Sequence, residues 1–117
     1  VEAPSQMLEN WAWDKNILKK LSKHYSSGAV LPDELISKMI EAKRYMMGYA
    51  YTRQLLFGLF DMSIHQANGP VDVTKTYNDL FKEMVGIDHI EGAHFPATFG
   101  HMMGGYDAGY YGYLWSE

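Results

Sequence analysis

The stretch Pro32-Asp-Glu-Leu-Ile-Ser-Lys-Met-Ile-Glu-Ala-Lys-Arg-Tyr-Met-Met47 decides the fold class. Proline is tolerated in a first helical turn, and Asp33 and Glu34 behind it complement the positive end of a helix dipole. Leu35, Ile36, Met39 and Ile40 then recur at three- and four-residue intervals, with Met46 and Met47 extending the apolar side. That period belongs to a helix. The same helix is expected to continue through Tyr49, Leu55, Phe57 and Phe60 to about Ile64, weakened locally by Gly48 and Gly58. Such a helix is amphipathic on more than one side toward its end, as expected of a segment buried inside a larger body.

Outward from this stretch the pattern repeats. Upstream, Pro4 and Ser5 form a helix entry, and Met7, Leu8, Trp11, Ile17, Leu18 and Leu21 follow at helical spacing until Tyr25-Ser-Ser-Gly28 reads as a stop. Downstream, Asn68-Gly-Pro70 breaks the chain. Thr74 is the expected cap of a third helix, with Tyr77, Leu80, Phe81, Met84 and Val85 as its buried stripe and Gly86 as its end. Across residues 87–105 no period is sustained, and a helix restarts within residues 110–115. No segment alternates like a strand, and no internal repeat is present. The expected fold class is all-α, a helical piece with a Gly/Tyr-rich loop. Its expected divisions are a helical region over 1–26, scaffold helices over 33–86, and the loop with a following helix start over 87–117.

Composition narrows the function. A chain of 117 residues bounds one domain with a modest core, and 47% hydrophobic residues exclude disorder. A net charge of −4 and a pI near 5.7 argue against nucleic acid as the main partner, because phosphate binding needs clustered cations. Lys19, Lys20 and Lys23 do cluster, but they read as a solvated helix face. The absence of cysteine excludes disulfides and thiolate metal sites, and fits a reducing, cytoplasmic compartment. Apolar runs such as residues 55–60 are too short to span a bilayer, so no membrane partner is expected, and no signal segment opens the chain. Val1 is no initiator methionine, and Leu114-Trp-Ser-Glu117 carries no helix stop, so both ends are expected to be cuts in a longer polypeptide.

The chemistry concentrates in His94-Phe-Pro-Ala-Thr-Phe-Gly-His-Met-Met-Gly-Gly-Tyr-Asp-Ala-Gly-Tyr-Tyr-Gly-Tyr113. Tyrosine presents a neutral hydroxyl donor on a stiff ring, suited to a developing oxyanion or a peptide carbonyl. Glycines permit close backbone approach and hinge motion. His101, just before Gly104 and Gly105, is placed to donate to a substrate carbonyl. The same residue types also fill helix crossings and loop packing. His89-x-Glu91-x-x-His94 departs from His-Glu-x-x-His, and histidines five apart do not share a helix face, so it is not read as a zinc site. None of the five histidines begins such a motif. Glu2 and Glu9, seven residues apart, share roughly one helix face; they read equally as a ligand with its supporting acid or as two solvated acids.

Two blocks of this sequence carry a resemblance. Val-Glu-Ala-Pro-Ser-Gln-Met-Leu-Glu-Asn-Trp (1–11) resembles the segment that follows the His-Glu-x-x-His helix in the thimet oligopeptidase and neurolysin family of zinc oligopeptidases. Pro-Ala-Thr-Phe-Gly-His (96–101) and Gly-Gly-Tyr-Asp-Ala-Gly-Tyr-Tyr-Gly-Tyr-Leu-Trp-Ser-Glu (104–117) resemble a second segment of the same family, and the spacing between the blocks also fits. The resemblance implies a zinc-dependent endopeptidase acting on short peptides within a channel between helical lobes. Glu2 would be the third protein ligand of the zinc, joining two histidines from a helix this chain lacks; the general-base glutamate would be missing with them. Tyr113 would donate to the oxyanion formed at the scissile carbonyl. His101 and Tyr106 would bind the substrate backbone, Tyr110 would line the channel, and Gly104, Gly105, Gly109 and Gly112 would let the loop close. With one ligand of three, the chain alone is expected neither to hold zinc tightly nor to cleave peptides. Its expected partners are peptide substrates and the remainder of the parent polypeptide, with self-association through the apolar residues 45–60. The alternative is a stand-alone helical module that binds peptides without cutting them.

Overall fold

The computed structural model describes residues 2–117. Its helices are α1 (Ala3–Glu9), α2 (Lys15–Leu21), α3 (Asp33–Arg44), α4 (Met47–His65), α5 (Val73–Val85) and α6 (Gly112–Trp115), with 3₁₀ turns at Asn10–Trp13, Phe95–Thr98 and Gly100–Met103. No strand occurs among the described residues, so the chain is all-α. It gathers into two compact units: the N-terminal residues up to Met47 with Ser116–Glu117, and Gly48–Trp115.

In the first unit, the helix expected from Pro4 onward divides at Asp14. This residue is extended, and its carboxylate accepts from the amides of Asn16 (2.8 Å) and Ile17 (3.0 Å), starting α2 afresh. An aspartate that can satisfy two otherwise orphaned donors favours a cap over a helix interior. Asp33, at the start of α3, pairs with Lys15 at 3.0 Å and with Lys19, so part of the lysine cluster is ion-paired. The Lys19 contact first, and then that of Lys15, holds the Asp33 carboxyl below its ordinary range. Ile36 is the fully buried apolar residue of this unit.

The continuous helix expected over 33–64 is corrected. It breaks at Tyr45, whose backbone is extended, and at Met46, which adopts a positive φ of 55°. The physical reason is local backbone: an extended Tyr45 and a left-handed Met46 cannot continue the i to i−4 hydrogen-bond ladder, so α4 starts afresh at Met47. The expected Thr74 cap of α5 also moves, to Asp72, whose carboxylate accepts from the Lys75 amide at 2.9 Å. Gly86 ends α5 in the left-handed conformation, as expected.

The core of the second unit joins Leu56, Phe57 and Phe60 of α4, Tyr77 of α5, and Phe99 and Tyr110 of the following segment. Phe57 stacks on Phe95 (5.2 Å, 5°) and meets Tyr110 edge-on (5.5 Å, 87°), while Tyr77 stacks on Phe95 at 4.5 Å. These stacked and edge-to-face geometries suit the ring quadrupoles. Together they dock a segment without long helices onto α4 and α5.

Candidate active site

The site segment is positioned from both ends. Pro96 opens one 3₁₀ turn, and Phe99, buried in the core, anchors the entry to the next. The His101 carbonyl accepts from the amides of Gly104 (3.1 Å) and Tyr106 (3.3 Å), closing a tight turn in which Gly105 takes φ 87°. A side chain at Gly105 would be strained whatever the space around it. Further on, Gly109 donates to the Tyr106 carbonyl and Gly112 to that of Gly109, both at 3.0 Å, which curls the chain into α6.

That curl collects the expected residues. The His101 ring is exposed and has three tyrosines around it edge-on: Tyr106 at 5.5 Å, Tyr110 at 5.2 Å and Tyr113 at 5.7 Å between centroids. Tyr106 and Tyr113 stack on each other at 5.1 Å and 21°, and Tyr110 packs on Tyr113 at 5.0 Å. Tyr110 is buried, whereas Tyr106 and Tyr113 are half-buried. Burial pushes the Tyr110 hydroxyl above the usual tyrosine pKa, against a downward pull from Arg53. The cluster is thus built from neutral hydroxyl donors around an imidazole.

Asp61 on α4 was missed by the sequence reading. Its side chain is completely buried, and it accepts from the Ala108 amide through Oδ1 (2.8 Å) and from the Tyr110 amide through Oδ2 (2.9 Å). His65 Nδ1, one helical turn on, lies 2.8 Å from Oδ1 and 2.8 Å from the Asp61 carbonyl. Ala108 takes a left-handed φ of 54°, which costs a non-glycine residue roughly 1–2 kcal/mol. The two amide hydrogen bonds to the Asp61 carboxyl offset that strain. The sequence did contain a signal: Asp61 lies beside Phe60 and one turn from Phe57, an acid set into an apolar face with a histidine four residues on.

Glu2 lies in the first unit, at the start of α1, where its Oε2 accepts from Ser5 Oγ at 3.0 Å. Glu9 is exposed at the end of the same helix. A carboxylate such as Glu2 suits zinc as one ligand, but among the described residues no group of three or more His, Asp or Glu is placed to hold a metal. His89 sits edge-on to Tyr77 and Phe81 in the second unit's aromatic packing, and His94 Nδ1 lies 3.4 Å from Thr74 Oγ1. No helix among the described residues is long and apolar enough to cross a membrane.

The profile of peptidase family M3 matches residues 1–117, and the chain belongs to that family. All of it aligns with oligopeptidase A of Salmonella typhimurium at 42% identity, with saccharolysin of Saccharomyces cerevisiae at 44%, and with a thimet-like oligopeptidase of Dictyostelium discoideum at 41%. It spans 17–18% of the length of these curated relatives.

Proposed function

We propose that the chain is part of a zinc-dependent metalloendopeptidase that hydrolyses short peptides, and that it supplies the substrate-binding and oxyanion-stabilising wall. The observation carrying this reading is the gathering of His101, Tyr106, Tyr110 and Tyr113 into one donor cluster, in a chain belonging to a peptidase family. Tyr113 donates its hydroxyl to the negative charge that develops on the scissile carbonyl oxygen, where a preorganised donor acts most strongly. His101 and Tyr106 hold the substrate backbone. Tyr110 closes the floor beneath them and excludes water. Gly104 and Gly105 let peptide approach the backbone closely whatever its side chains.

Glu2 contributes one carboxylate ligand for zinc, with two histidines of the parent polypeptide completing the set. When bound, the metal supplies Lewis-acid polarisation of the carbonyl and lowers the pKa of water. The test uses the whole polypeptide that carries this chain. Glu2→Gln is expected to lower zinc content and affinity by titration calorimetry, and His101→Ala to raise KM for a quenched peptide. Unchanged zinc binding in the first variant would remove Glu2 from the metal site. Absence of chelator-sensitive cleavage in the parent would sink the peptidase reading.

A further inference from the structure

We propose that Asp61, supported by His65, is the positioning residue that fixes the Tyr106–Tyr113 segment in its donor-presenting arrangement. This rests on the reading of His101, Tyr106 and Tyr113 as substrate-facing donors, and extends it to a residue on α4 that faces no substrate itself. The two carboxylate oxygens are used separately, one on the Ala108 amide and one on the Tyr110 amide, so the clamp sets both the position and the twist of the chain between them. Ala108 lies inside that clamp with a left-handed backbone. An unanchored alanine there would relax to negative φ and swing the residues after it. Tyr110 and Tyr113 are those residues, and they form two of the four ring contacts around His101, beside those of Phe99 and Tyr106.

The clamp requires two acceptor oxygens. Asparagine has the same shape but offers one acceptor and one donor, so one of the two backbone amides would face an N–H group. The His65 contact at 2.8 Å supplies a further donor to a carboxylate that has no solvent exposure, as a buried acid needs. His65 at that position orients the carboxyl, with Asp61 acting on the loop and the loop presenting the donors.

The test uses the whole polypeptide that carries this chain, with no ligand, and reads the loop directly. Asp61→Asn is expected to speed amide exchange at Tyr110 and Tyr113 at least tenfold while exchange at Tyr77 and Phe81 of α5 stays within twofold. The His101 ring protons, shifted by the surrounding tyrosine rings, are expected to move toward their free-histidine positions. His65→Leu should produce the same changes in weaker form, and His65→Asn, which keeps a donor, should largely reverse them. Unchanged His101 shifts in a folded Asp61→Asn variant overturn the proposal. So does loss of protection across α5 in step with the loop in both Asp61→Asn and His65→Leu, because the pair would then act on folding as a whole. Since no substrate enters the measurement, failure of the peptidase reading leaves this result intact, and the reverse also holds.

Discussion

At the scale of single residues, Tyr113 separates chemistry from packing. Its ring lies against His101, Tyr106 and Tyr110, so phenylalanine preserves the contacts and removes only the hydroxyl. In the whole polypeptide, Tyr113→Phe is expected to lower kcat by about 10²–10³ with KM little moved, the signature of a donor used in the transition state. Steady-state kinetics on a quenched peptide check this; a change confined to KM would instead make Tyr113 a ground-state contact. Tyr110 and Tyr77 give a second expectation. Burial raises both hydroxyls above their ordinary value, so the folded state holds their protons longer than the unfolded chain does. Their contribution to stability is whole below about pH 10 and is lost as pH rises through the higher folded values. An alkaline titration should show tyrosinate absorbance appearing together with loss of the second unit's near-ultraviolet dichroism. Early, reversible ionisation of all nine tyrosines without unfolding would contradict it.

At the scale of elements, the helices follow their local chemistry and their joints do not. Gly58 is buried inside α4, where an added Cβ would meet Tyr111 Cα at 3.6 Å, an ordinary contact distance. Gly58→Ala is therefore expected to stabilise by roughly 0.5–1 kcal/mol, read as a raised denaturation midpoint, because alanine is the better helix former and the space admits it. A destabilised variant would mean that the segment carrying Tyr111 packs closer than this. The first unit has an acid-sensitive joint. Asp33 is held below its ordinary pKa by Lys19 and Lys15, so its support of the α2–α3 contact is present above about pH 3.9 and fades as pH falls through the lower folded value. Amide exchange of α2 across an acid series should follow that curve, and salt should weaken it because the pair is exposed. The periods of α3 and α5 were legible in the sequence, as were the Gly86 stop and the restart at α6. The breaks at Asp14 and Met46 were not, because a helical period continues formally through a residue that the fold turns into a cap or a hinge.

At the scale of the whole molecule, burial is uneven. Six core residues lie in the second unit, while Ile36 alone is the buried hydrophobic residue of the first among those described. Slow amide exchange is accordingly expected in α4 and α5, with α1 and α2 exchanging at rates close to local opening. Much apolar surface remains open as well. Leu55, Leu59, Tyr111 and Trp115 are exposed and, with Gln54, Gly58, Met62 and Leu114, line an apolar cavity of about 310 Å³ within the second unit. Exposed apolar surface of this kind favours association. The chain is expected to self-associate with rising concentration in light scattering, and Leu59→Lys to reduce it; a monomer at every concentration would count against that.

The site divides between what is local and what is not. His101, the glycine turn and the tyrosines stood out in the sequence because their types and spacing are unusual, and the all-α class followed from the 3.6-residue period alone. Those properties reside in neighbouring residues, so a linear reading reaches them. Which tyrosine is buried, which rings surround the imidazole, and the role of Asp61 depend on pairs such as Asp61 with Ala108 and Tyr110, nearly fifty residues apart. No local period encodes such a pair. Only the packing of the loop against α4 decides it, by bringing a buried carboxylate to two backbone amides that then hold the tyrosines around His101.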